Sequence, residues 1–334
     1  LRAATASDHL ELVAVSAIWG SAFLCIAIAL DDFSPLQIAA WRLTLATGGL
    51  LLVLRWMGLG LPRDARTWIV LASIGTLNGA VPFVLIGWGQ QSVPSSTTGI
   101  LIATSPFVTL LLAHFMTSDE SFGWSKLAGM ALGFTGVLVL FGGLASGGAS
   151  GDATGAAARG VANAATGAAT GAAAGQVLSA EPWHMAAICA AAACYAASGV
   201  LIRRLAHLPN LVVVTGTVLC ASVLLWLPLL LLGSPIGSHA QGGIGWQSMV
   251  AIVFLALGPT GIAYVLRIRL VQRNGAVYMS GAGYLIPVFA VLWGWVFLGE
   301  QPGLRTLVAL GLILTGIAVS QSRSYTQASA TKER

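Results

Sequence analysis

Chemistry in this sequence rests on few side chains, and most of them lie inside apolar runs. Arg42 is the one ionised residue placed within such a run, about two turns from its start. It either reaches outward to pair with Asp31 or Asp32, or offers a guanidinium to a ligand carboxylate. Trp19 precedes Gly20 midway through another run, where an indole supplies a flat apolar face and one N–H donor. Asn78, followed by Gly79 and Pro82, is costly in hydrocarbon, so it faces protein or water. Tyr264, Tyr278, Ser280, Tyr284 and Trp293 offer rings and hydroxyls in the second half. Six residues separate Tyr278 from Tyr284, which sets them on two flanks of one helix, where both can border a cavity or pack between helices. Pro82, Pro106 and Pro287 each remove a backbone donor and can bend or open a helix.

What is missing matters as much. No Asp or Glu lies deep in an apolar run. Glu11, Asp31, Asp32, Glu120, Glu181 and Glu300 all fall near ends, and Glu120 and Glu300 read as closures of helix ends. The chemistry of a metal or phosphate enzyme needs clustered His, Asp or Glu, so no catalytic site, metal or cofactor is expected. Cys25, Cys189, Cys194 and Cys220 sit in apolar runs without a CxxC pair and read as small hydrophobes.

The elements that position these residues follow from composition. Of 334 residues, 57% are hydrophobic and 8% charged, with mean hydropathy +0.85. A soluble domain carries about 25% charge, so the surface faces a lipid bilayer. Ten runs are long enough to cross hydrocarbon as helices: 10–29, 36–56, 67–87, 93–115, 124–143, 183–203, 210–232, 246–266, 275–298 and 304–320. With the N-terminus in the cytoplasm, thirteen of the sixteen Lys and Arg fall on the inside. That bias predicts two cytoplasmic termini. Basic residues punctuate the runs instead of clustering, so the net charge of +5 does not imply nucleic acid.

The expected organisation is a first five-helix unit over 1–143, an external Ala/Gly-rich linker over 144–182, a second unit over 183–320 and a cytoplasmic tail over 321–334. The two units share landmarks. Trp68, Pro106, Glu120 and Thr135-Gly136 recur as Trp246, Pro287, Glu300 and Thr315-Gly316, at offsets of 178 to 181. Five spans per unit invert the second copy, an arrangement secondary transporters use to open one site to alternate sides.

Several motifs then carry a resemblance: Ala17-Ile18-Trp19-Gly20-Ser21, Trp41-Arg42-Leu43, Ser95-Ser96-Thr97 leading to Pro106 and Glu120, and Asn274-Gly275-Ala276 leading to Pro287, Gly299 and Glu300. In this order the chain resembles the ten-helix EamA type of the drug/metabolite transporter superfamily, and most of all the bacterial inner-membrane amino-acid exporters, including the aromatic amino-acid group. The resemblance implies an all-α polytopic protein in which spans 1–4 and 6–9 line a central cavity and spans 5 and 10 pack outside it. It implies a monomer that exports amino acids or similar zwitterions across the inner membrane. The runner-up is a multidrug or other small-metabolite exporter of the same superfamily. A cationic cargo would want a buried carboxylate, and none is visible.

Overall fold

A computed structural model describes residues 5–108, 124–146, 182–231, 243–274, 278–279 and 281–330. Glu120, Ser280 and nearly all of the predicted linker (147–181) lie outside the described residues. Among the described residues the chain is helical throughout, with no strand. The helices are α1 (Ala6–Ala29), α2 (Pro35–Trp56), α3 (Ala65–Gly75), α4 (Val81–Gly89), α5 (Ser95–Ile102), α6 (Trp124–Ser146), α7 (Pro182–Ile202), α8 (Asn210–Leu231), α9 (Trp246–Leu257), α10 (Ala263–Asn274), α11 (Ala282–Leu298) and α12 (Leu304–Ala330). A π-turn over Thr76–Ala80 joins α3 to α4, and another over Gly258–Ile262 joins α9 to α10. Among the described residues five helices are long and apolar enough to cross a membrane: Ala6–Ala29, Pro35–Trp56, Ala65–Gly89, Asn210–Leu231 and Trp246–Val271.

Local sequence explains the boundaries. Ser34 and Gln37 form a reciprocal cap ahead of Pro35, whose missing N–H costs nothing at a first helical position. Asp64 accepts from the Thr67 N–H at 2.7 Å to start α3. Gly299, at φ +64°, ends α11 in the left-handed region. The next residue, Glu300, reaches back to a different helix. Its two carboxylate oxygens accept from the backbone N–H groups of Ser95 (2.7 Å) and Ser96 (3.0 Å), so it caps α5.

Packing runs mostly between the two halves of the chain. α2 lies along α8 and also touches α9, while α8 touches α3. α1 rests on α11 and α9, and α7 rests on α4 and α5. α6 and α12 pair with each other at the periphery. Small residues set the closest approaches. A Cβ on Gly20 would meet the Phe289 Cβ at 2.6 Å, and one on Gly75 would meet the Thr217 carbonyl at 2.5 Å.

One landmark needs realignment. α3 begins at Ala65 and α9 at Trp246, an offset of 181, and the π-turns differ by 182. The offset of 178 that pairs Trp68 with Trp246 is therefore about one turn out of step. Both tryptophans sit in the first turns of their helices, where interfacial indoles are favoured whatever the register.

Candidate functional site

One π-turn contains Pro259 and the other ends two residues before Pro82, and the missing proline donors account for their widening. In an α-helix the N–H of Pro82 would serve the carbonyl of Asn78, and that of Pro259 would serve Leu255, but neither proline has one. Leu255 finds another donor. The Thr260 hydroxyl reaches its carbonyl at 3.1 Å. A similar repair occurs at Pro106, where the Ser105 hydroxyl donates to the Ile102 carbonyl at 2.5 Å. At Pro259 and Pro106 a neighbouring hydroxyl thus keeps the freed carbonyl hydrogen-bonded in a low-dielectric interior. π-Turns of this kind are frequent at functional sites.

Arg42 comes in from α2 between the two turns and is 7% exposed. Its Nε donates to the Thr260 hydroxyl at 2.8 Å, and its guanidinium carbon stands 3.8 Å from the centre of the Phe83 ring. Tyr195, Tyr264 and Cys25 are its other close electrostatic neighbours. Among the described residues it makes no ion pair. Asp32, one of the two expected partners, instead accepts from the Gly245 N–H at 2.9 Å, at the start of α9. The cation is thus held by a hydroxyl and an aromatic face, both uncharged.

A second chain of contacts closes the centre. Asn78 donates to the Tyr264 hydroxyl at 3.4 Å and accepts from the Ser198 hydroxyl at 3.2 Å. Trp19 meets Tyr264 edge-on, with ring centroids 6.1 Å apart, and donates its indole N–H to the Pro259 carbonyl at 3.0 Å. Beside these groups runs a narrow cleft, with room for about one water molecule between its walls. Leu43, Asn78, Phe83, Thr217, Thr260 and Tyr264 are among its lining residues. Arg42 is not a wall of the cleft. It sits behind Phe83 and Thr260, which are.

Trp19, Arg42, Asn78 and Tyr264 therefore converge, with Pro82 shaping the turn that carries Asn78. The other candidates lie elsewhere. The Tyr278 hydroxyl is 2.8 Å from His9 Nδ1, near Arg273, which stands 3.4 Å from Glu11 and 3.9 Å from Asp8. Tyr284 packs against a cluster with Ile100, Phe107 and Ile188. Trp293 donates to the Ala17 carbonyl at 3.0 Å and staples α11 to α1. Pro287 is buried inside α11, and Pro106 follows the end of α5. Tyr278 and Tyr284 thus pack in different clusters.

Phe83, Tyr195, Ser198, Pro259 and Thr260 belong to the centre, although they are not among the candidates drawn from the sequence. Gly258-Pro259-Thr260-Gly261, a breaker with a hydroxyl in mid-span, is the signal that points to the last two. Tyr195 and Ser198 carry none, because Tyr195-Ala196-Ala197-Ser198-Gly199 on α7 only loosely echoes Ile18-Trp19-Gly20-Ser21 on α1. Among the described residues no group of three or more His, Cys, Asp or Glu could hold a metal ion.

Residues 9–142 and 182–321 match the EamA-like transporter family. A probable terminal-alkyne amino-acid exporter of Streptantibioticus cattleyicolor is 27% identical over 314 residues, spanning 94% of this chain and 93% of its own. An S-adenosylmethionine/S-adenosylhomocysteine transporter of Chlamydia trachomatis is 28% identical over 328 residues, spanning 93% and 88%. An uncharacterized inner membrane transporter of Escherichia coli is 26% identical over 317 residues, spanning 94% and 90%. One crystal structure shares the fold at TM-score 0.61 and 20% identity, over 97% of this chain and 99% of its own.

Proposed function

Because the chain belongs to the EamA-like transporter family, we propose that it exports amino acids or similar small zwitterionic metabolites across the inner membrane by alternating access. It does so as a monomer of ten membrane-crossing helices, with two inverted five-helix repeats and both termini in the cytoplasm. The observation that carries this reading is Arg42. A guanidinium buried without a carboxylate partner among the described residues is expensive, and a substrate carboxylate relieves that cost. The cargos named for two relatives, an amino acid and S-adenosylmethionine, both carry an α-amino carboxylate head.

Alternating access draws support from an asymmetry. In equivalent positions of inverted repeats, α1 and α7 should make equivalent contacts. Instead α1 leans more on α9, the N-terminal half of its partner helix, and α7 leans on α4, the C-terminal half of its partner. With cytoplasmic termini, both of those halves lie toward the outside. The outer side is then the tighter one, and the conformation is the one that loads from the cytoplasm. Entry to Arg42 requires the Phe83 ring to move aside.

The test is counterflow in proteoliposomes with labelled phenylalanine and labelled S-adenosylmethionine, comparing the unaltered protein with Arg42→Gln. Exchange of at least one cargo that disappears in the variant supports the reading. Exchange unchanged by Arg42→Gln, or no exchange of any amino acid, overturns it.

A further inference from the structure

Around Arg42 and the adjoining cleft, the described side chains with a ring or a polar group include Trp19, Asn78, Phe83, Tyr195, Thr260 and Tyr264. All are uncharged, so among the described residues the centre carries the single positive charge of the guanidinium. The acceptors of the centre are neutral and are bonded largely to one another, so none of them offers an ammonium a counter-charge. The Asn78 carbonyl oxygen takes the Ser198 hydroxyl, and the Tyr264 oxygen takes the Asn78 amide. The Phe83 face, which could attract a cation, is covered by Arg42 itself. Thr260 is spent between Arg42 and the Leu255 carbonyl.

Charge balance decides what such a centre holds best. A zwitterion brings no net charge and leaves the occupied site positive, with its ammonium unpaired in a low-dielectric interior. A simple carboxylate brings one negative charge and leaves the occupied site neutral. We infer that this site reads the carboxylate alone, so that its substrate class extends to monocarboxylates lacking an α-ammonium group. This rests on the reading of Arg42 as the carboxylate partner and adds that nothing in the site requires the amine.

The test uses the purified full-length protein in detergent and follows its thermal unfolding with graded phenylalanine, 3-phenylpropanoate and phenylalaninamide. The three share one side chain and differ only at the head. The expected result is that 3-phenylpropanoate binds within about threefold of phenylalanine or tighter, while the amide is weaker by about tenfold or more, the factor a lost charge-assisted bond commands. Arg42→Gln should weaken both acids by about tenfold or more, and Arg42→Lys, which keeps the charge, should retain the preference for 3-phenylpropanoate over the amide.

If phenylalanine binds and 3-phenylpropanoate fails as badly as the amide, the ammonium is read and the inference is overturned while the exporter reading stands. If 3-phenylpropanoate binds and phenylalanine does not, the inference stands and the amino-acid reading fails. If neither acid binds, both fail.

Discussion

The indole nitrogen of Trp19 lies 3.0 Å from the carbonyl oxygen of Pro259, 240 positions along the chain. The first residue belongs to α1, the second to the π-turn between α9 and α10. One side chain from the first half thus supplies a donor to a backbone group in an opened turn of the second. The neighbouring residue, Thr260, repairs the carbonyl that Pro259 cannot serve and orients Arg42 with the same hydroxyl.

Trp19→Phe keeps most of the ring and removes the donor. We expect the Pro259 carbonyl to lose that partner and the purified protein to lose about 0.5–1.5 kcal/mol of stability. Counterflow should slow as well. A thermal unfolding midpoint equal to that of the unaltered protein would show that the bond contributes nothing.

Thr260→Val preserves shape and removes both bonds. It leaves the Arg42 Nε and the Leu255 carbonyl without their shared partner, so substrate affinity should fall by about tenfold. Thr260→Ser restores the hydroxyl and should recover most of the loss. Titration of binding to the three proteins decides it. A defect in the serine variant with none in the valine variant would mean that packing of the methyl group matters, not the hydroxyl.

Glu300→Gln should preserve transport and weaken the fold. The amide keeps one acceptor and turns an NH2 group toward a backbone donor, at a cost of about 1–3 kcal/mol. Counterflow scaled to folded protein is expected to match the unaltered protein. Abolished counterflow in a well-folded Glu300→Gln would instead place this carboxylate in the transport cycle.

Gly20→Ala tests the α1–α11 contact. The new methyl would stand 2.6 Å from the Phe289 Cβ, so one helix must shift, at about 1–3 kcal/mol. The expected signature is a lower unfolding temperature and reduced membrane abundance. Unchanged stability would show that the two helices separate freely.

Orientation is open to labelling. With the native cysteines replaced, Cys introduced at Gly303 should react with an impermeant maleimide on intact cells. Cys introduced at Gly60 should react only after permeabilisation, because it lies in the loop bounded by Arg55, Arg63 and Arg66. A Cβ at either glycine would meet nothing within 4 Å, so the substitutions are sterically harmless. The reverse pattern would invert the topology.

Long helices were legible because hydropathy alone dictates them. Arg42, Asn78 and Trp19 stood out because a charge, an amide or an indole in mid-span must be accommodated somehow. Tyr264 lies beside them, whereas its fellow aromatics Tyr278, Tyr284 and Trp293 pack in three other places. An aromatic ring is equally content at a helix seam and in a cavity, so residue type cannot separate the two. Phe83 was invisible for the same reason, since a phenylalanine in an apolar run is ordinary until a guanidinium rests on its face. The partner of Arg42 was not legible either. Asp31 and Asp32 were near in sequence, but the rotation of α2 turns Arg42 inward while Asp32 caps the start of α9.

The seam between α6 and α12 bears on how the two halves can move. A Cβ on Gly316 would stand 2.6 Å from the Gly129 carbonyl oxygen and 2.8 Å from the Gly133 nitrogen, so the two main chains touch. A Cβ on Gly136 would likewise meet the Ile313 side chain at 2.8 Å and the Ala309 carbonyl at 3.0 Å. Lengthwise sliding would drive side chains into these notches, whereas a small roll about the line of contact would not. In the proposed alternating-access cycle the pair would act like the spine of a book, letting the covers swing and forbidding them to shear.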